Sequence, residues 1–181
     1  MVLQHAPVVL DLSVPEPVWP ATPWTIGRYD EPRPGVYTQA LFGSARTVHM
    51  GVDLGAPVGA AVHAFAAGRV LHQGYNPAEG DYGHVVVTEH LLDGRSLFAL
   101  HGHLSAASIR VRPAGSVFEA GEVLGWLGDA DENGGWPPHL HFQLSWERPA
   151  THDMPGAVSL DERDAARTRF PDPRRVLGAI Y

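Results

Sequence analysis

No cysteine and no lysine occur in the chain; all 13 of its basic residues are arginine. Without thiols there is no disulfide framework and no thiolate metal site, so any metal must be held by histidine and carboxylate side chains. Positive charge is scarce as well. The net charge of −7 leaves no basic face of the kind nucleic acid requires. No apolar run is long enough to span a bilayer. The opening stretch MVLQHAPVVLDLSVPEP lacks the basic region and long apolar core of an export signal, which reads as cytoplasmic by default, or exported if the start is trimmed. Fixed-period repeats and low-complexity tracts are also missing.

What is present describes a folded, turn-rich domain. Hydrophobic residues make up 44% of the chain and charged ones 18%, a balance that favours a packed core over disorder. The 20 glycines and 16 prolines imply many turns between short strands, and 181 residues suit a single domain. Alternating or compact apolar runs predict strands over 8–12, 36–42, 61–65, 69–73, 85–90, 96–104, 116–118, 123–127 and 140–146. Asp93-Gly94 and Gly134-Gly135 mark turns. Only the tail reads as helical: Ser159-Leu-Asp-Glu162 resembles a capping box opening a helix toward Arg169, with a further turn over 174–179. The expected fold is therefore all-β or β-rich, a single antiparallel sheet domain with a short C-terminal helix.

Histidine is the over-used residue, with 11 in the chain. Residues two apart on a strand share a face, so His139 and His141 point together with Gln143 and Ser145, while Leu140, Phe142, Leu144 and Trp146 point away. In SLFALHGHL, His101 and His103 share a face by the same rule, opposite Phe98, Leu100 and Leu104. Two such strands read as two walls of one metal site in a groove over the sheet. His49-Met-Gly-Val-Asp53 adds a third element, because a spacing of four also returns to one side of a strand. His49, Asp53 and one histidine of a pair make a three-ligand set, which suits Zn²⁺ with a fourth position open for chemistry. Spacing does not choose the ligating member of each pair. His5 and His152 read as exposed, and His63, His72, His84 and His90 as structural. Trp19, Trp24, Trp126 and Trp136 read as packing residues, with Trp136 the nearest to the site.

The ordered set His49-x-Gly-x-Asp53, Gly55-Ala-Pro-Val58, Gly68-Arg-Val70, Tyr82-Gly83, Gly102-His-Leu-Ser105, a glycine-punctuated hairpin over 115–128 and Pro138-His-Leu-His-Phe142 resembles the M23 peptidases, the lysostaphin- and LytM-like zinc metalloendopeptidases. The resemblance covers roughly residues 46–146. It implies a core over 46–150, an N-terminal extension over 1–45 packing on it, and a partly helical C-terminal extension over 151–181. It further implies His49, Asp53 and His141 as zinc ligands, His103 and His139 as catalytic histidines, and hydrolysis of peptide bonds in bacterial peptidoglycan or related glycine and D-amino-acid peptides. Neither a nucleic-acid partner nor a membrane span is implied, and oligomeric state is left open. His101 stands where the family commonly has tyrosine, a departure that is either a harmless aromatic exchange, the favoured reading, or a change in ligation or substrate contact. The flanks, WTIGRYDEPR (24–33) and the FPDPRRVLGAI tail, are similar to an M23-like module found between kinase-like and class III aminotransferase domains.

Two other readings compete. A cupin-type metalloenzyme also uses His-x-His, and here Glu147 would supply its carboxylate. An M23-like module without activity would only bind a partner, although a retained ligand set argues against that. The hairpin VRPAGSVFEAGEVLGWLGD is like that of biotinyl and lipoyl carriers, but without a lysine to modify, a carrier role fails.

Overall fold

The molecule, a computed structural model, is described for residues 6–181, so His5 lies outside the described residues. In chain order the strands are β1 (Val8–Val9), β2 (Thr25–Gly27), β3 (Glu31–Pro32), β4 (Val48–His49), β5 (Val52–Gly55), β6 (Ala61–His63), β7 (Gly68–Asn76), β8 (Gly83–Leu92), β9 (Arg95–Leu104), β10 (Val117–Phe118), β11 (Val123–Trp126), β12 (His139–Ser145) and β13 (Ala157–Val158). Eight of them form one sheet in the order β1-β2-β5-β12-β9-β8-β7-β10. Its pairings are antiparallel except for β1 beside β2, which run parallel. Strands β6 and β11 make a small hairpin-like sheet, and β3, β4 and β13 make another.

The long strands are buried on both faces, which explains why Val85-Val86-Val87 is a continuous apolar run. Val85 and Val87 pack with Val48, Met50, Phe98, Leu100, Met154 and Phe170 beneath the small β3-β4-β13 sheet and the tail. Val86 faces the other way, into a cluster with Val62, Val70, Leu104 and Phe118. Full burial of a side chain such as Phe170 contributes about 1.5–3 kcal/mol. The β8–β9 turn uses Asp93 and Gly94, both at positive φ (50° and 78°), the backbone twist a two-residue hairpin requires.

The tail turns helical where its pattern predicts, but the capping box itself does not form: Glu162 stands at the N-cap with no side-chain cap bond. Ser159 donates from its backbone N–H and its hydroxyl to Glu162 (3.1 and 2.8 Å), and helix α2 (Arg163–Arg169) follows. Helix α1 (Ser108–Val111) is a single turn, and α3 (Arg174–Leu177) closes the chain. Residues 36–42 are not a strand. Val36 sits in a turn that donates back to the Arg33 carbonyl (3.3 Å), and Ala40–Phe42 is a 3₁₀ turn. Pro34-Gly35 and Gly43 break the extended run, and the apolar side chains Val36 and Phe42 are buried without pairing.

His101 and His103 do not share a face. A bulge in β9 sets Val86 opposite His101 but His84 opposite Leu104, and His103 takes φ = 62°. The extra residue reverses the alternation. His101 lies opposite Phe142 and packs against its ring, 5.3 Å between centroids, on the side away from His141. It is 1% exposed and donates from Nδ1 to the Val86 carbonyl (3.2 Å). Burial, and then the nearby His90, depress its pKa from 6.5 to about 3. The unfolded chain therefore binds a proton that the folded one refuses. The neutral ring's contribution is whole above about pH 6.5 and is lost as pH falls toward 3. Between pH 6.5 and 4.5 this site alone removes about 2–3 kcal/mol. In urea titrations the His101→Phe variant is expected to lose that much less stability over the same interval; an unchanged pH slope would refute the assignment.

Candidate metal centre

His49 and Asp53 come from different sheets, not from one strand. His49 ends β4 and Asp53 sits on β5, and the chain crosses between them through Met50-Gly51. Gly51 is required there because a Cβ at that position would stand 2.7 Å from the His141 ring. His141, on β12, lies directly opposite Asp53 in the sheet, and His139, two residues earlier on the same face, lies opposite Gly55. Alternation thus brings His139 and His141 together, and strand pairing brings Asp53 to them.

Three atoms converge. Asp53 Oδ1 is 3.2 Å from both His49 Nε2 and His141 Nδ1, and those two nitrogens are 3.1 Å apart. Among the described residues, this is the one group of three or more potential ligand side chains close enough to share an ion. Ligand atoms at zinc distances and tetrahedral angles stand about 3.3 Å apart, so the spacing fits. The proton positions fit as well. His49 Nδ1 donates to the Arg28 carbonyl (2.8 Å), which leaves Nε2 as a bare lone pair. His141 Nε2 donates to Gln143 Oε1 (3.1 Å), and the Gln143 amide is itself oriented by donating to the Pro155 carbonyl (3.3 Å). His141 Nδ1 is then also a bare lone pair. Three acceptors facing one another with no proton between them repel unless a cation sits among them, and the outer partners hold them in that state.

Arg33 completes the arrangement from beneath. Its guanidinium donates to Asp53 Oδ2 (2.6 Å), Glu31 Oε2 (3.0 Å), the Tyr37 hydroxyl (3.2 Å) and the Arg28 carbonyl (3.2 Å). One carboxylate oxygen of Asp53 is thereby occupied and the other is left for the centre. Burial opposes the Asp53 charge, but its neighbours His49, Arg33, His139 and His141 hold its pKa well below the usual carboxylate range. Of these neighbours Arg33 is the permanent cation, since burial, reinforced by Arg33, depresses His49 to about 4. Tyr82 caps the other side, its ring 5.0 Å from that of His141 and its hydroxyl donating to the Met154 carbonyl (3.0 Å).

Two more imidazoles flank the triad. His103 Nδ1 donates to the Asn133 carbonyl (2.8 Å) and His139 Nδ1 to the Pro137 carbonyl (2.7 Å), so each keeps a bare Nε2. Their rings are 4.3 Å apart, and His139 Nε2 is 3.6 Å from Asp53 Oδ1. Burial lowers both pKa values, that of His103 well below the ordinary value, so both rings are neutral at pH 7.

The profile of peptidase family M23 matches residues 47–153, a span that holds all five of these residues. The chain belongs to peptidase family M23. The catalytic domain of the antimicrobial peptidase lysostaphin from Staphylococcus simulans superposes with a TM-score of 0.52 at 20% identity, over 80% of this chain and 92% of its own, a likeness of fold. The catalytic domain of EnpA, a prophage-encoded M23 protein of Enterococcus faecalis, gives 0.52 at 25% identity, over 78% of this chain and 92% of its own. Among curated proteins, the DD-carboxypeptidase/endopeptidase Mpg of Neisseria meningitidis serogroup B is 36% identical over 96 residues, which is 53% of this chain and 20% of that protein. The M23 chain thus matches about a fifth of the length of that relative. No described helix is long and apolar enough to cross a membrane.

In this M23 domain the remaining sequence readings separate cleanly. His49, Asp53, His103, His139 and His141 meet, whereas His101 does not touch them. Glu147, which the cupin reading needs, is exposed and paired with Arg169 (2.9 Å). His63 and His72 bond to the Gly121 and Pro149 carbonyls, and His90 to that of Ala67. His152, expected at the surface, is half-buried, its ring lying over Gly74. Arg33 and Tyr82 were not read as site residues, because nothing in their local spacing distinguishes a buried clamp from a surface arginine or a core tyrosine. Gln143 was readable in part, since strand alternation places it on the His141 face.

Proposed function

We propose that the chain is a zinc-dependent metalloendopeptidase acting on peptide bonds of peptidoglycan or of related peptides containing glycine or D-amino acids. The observation that carries this reading is the convergence of His49 Nε2, Asp53 Oδ1 and His141 Nδ1, 3.1–3.2 Å apart, beside the two further imidazoles of His103 and His139. Zinc held by those three atoms would polarise the scissile carbonyl and acidify water from a pKa of about 15.7 toward about 7.

The chain's own part follows from its proton inventory. Both His103 and His139 are neutral and offer Nε2 as an acceptor, the form a general base needs. His139 is the better placed, since the Asp53 carboxylate 3.6 Å away favours its protonated form once it has taken the proton of the attacking water. The resulting imidazolium can then donate to the leaving amine. His103, held by Asn133 with its ring centroid 4.3 Å from that of His139, is the second imidazole that orients the water. The D-residue specificity in the name of Mpg supports extending the substrate range to D-amino-acid bonds.

The test is digestion of purified peptidoglycan and of glycine and D-amino-acid peptides, followed by mass spectrometry. Chelator is expected to stop cleavage and added zinc to restore it. His139→Ala and His103→Ala are each expected to lower kcat by about 10²–10⁴ while keeping bound zinc. Cleavage that survives chelator, or none on any substrate, would refute the reading.

A further inference from the structure

Asp53 and His141 of the triad, with His103 and His139, line a cavity of about 510 Å³ whose other walls are mostly apolar. The N-terminal segment builds much of that wall. Strand β1 pairs with β2 and carries the chain so that Leu10 and Leu12 meet Val36 in a buried cluster, backed by Tyr37 and Trp136. Arg33 and Asp53, both in the lining, neutralise each other at 2.6 Å. At the rim stand Trp19, 51% exposed, and Leu41, 36% exposed, large apolar groups that a monomer does not ordinarily display together beside its catalytic groups. The indole N–H of Trp136, also in the lining, is buried without a hydrogen-bond partner among the described residues.

We propose that this cavity is a side-chain subsite, and that one residue flanking the scissile bond is bulky and apolar, aliphatic or aromatic. The inference rests on the hydrolase reading above and narrows its substrate class. A chain of glycines alone would lay peptide groups against Leu10, Leu12, Val36 and Phe42 with few partners, an unfavourable desolvation. A leucine or phenylalanine side chain fills the space and dries those walls. The gain from burying one such side chain corresponds to a preference of roughly 10-fold to 100-fold in kcat/KM.

The test uses the zinc-loaded protein and blocked pentapeptides: pentaglycine, and the same host with one L- or D-leucine or phenylalanine walked through each position. At one position the apolar peptide is expected to exceed pentaglycine by at least about 10-fold in kcat/KM. Trp19→Ser, a change at the exposed rim, is expected to shrink that preference while bound zinc stays unchanged. Val36→Asp, checked for retained zinc and fold, is expected to abolish it. Equal rates for all peptides would overturn the subsite while leaving the hydrolase reading intact. If nothing is cleaved, calorimetric binding of the same peptides decides: tighter binding of the apolar ones sustains the subsite and removes the hydrolase reading, whereas equal or no binding overturns the subsite as well.

Discussion

His141→Ala and His49→Ala are each expected to reduce bound zinc from about one ion per chain to below ~0.1, and peptidase activity by at least ~1000-fold. The expectation follows from the proposed coordination, in which each imidazole supplies one of only three protein atoms. Removing either leaves Asp53 and a single nitrogen, too few to compete with buffer for the ion. The control is His101→Phe. That ring is a histidine of the same strand as His103, but the β9 bulge turns it to the opposite face against Phe142, so zinc and activity are expected to persist. Metal content by emission spectrometry on dialysed protein reads all three. Stoichiometric zinc in His141→Ala, or its loss in His101→Phe, would reject the assignment.

Arg33→Met is the second large effect, and it is read in stability. The Arg33 side chain is 3% exposed and ion-paired to Asp53 (2.6 Å) and to Glu31 (3.0 Å), whose side chain is 5% exposed. Deleting the cation strands two buried carboxylates, and breaking a buried pair in this way costs about 3–5 kcal/mol. For a domain of this size that corresponds to a fall in Tm of roughly 6–20 °C. The loss is expected to be greater in chelator than with zinc, because the ion continues to balance Asp53 when Arg33 is gone. Arg33→Met combined with Glu31→Gln is expected to recover part of it, since one of the stranded charges is then removed. Urea unfolding of the three proteins with and without zinc measures these differences. A loss identical in both conditions would show that Arg33 supports Glu31 and the N-terminal segment alone.

Much of the site was legible because its elements obey short-range rules. His139 and His141 share a face by the two-residue period of a strand, and the same period set Gln143 beside them. The strands at 69–73, 85–90, 96–104 and 140–146 form with shifts of a residue or a few at their ends. Asp93-Gly94 turns as its backbone freedom dictates, and a helix follows Ser159–Glu162 as the pattern there predicts, without the side-chain cap. Residues 36–42 misled for the same reason that the others succeeded: apolar composition reports burial, but pairing requires an edge to pair with, and Pro34, Gly35 and Gly43 denied it.

By itself the sequence determined that any metal here is held by histidine and carboxylate, that the core is β, and that one strand presents two imidazoles on one side. These follow from composition and from periods of a few residues, which are local properties of the chain. Only the tertiary structure decided that His49 and Asp53 approach from two different sheets, that a bulge splits His101 from His103, and that Arg33 occupies one oxygen of Asp53. Each of these depends on strand register or on contacts between residues at least 15 positions apart or in separate sheets, and no local pattern records a register that the packing of the two faces selects.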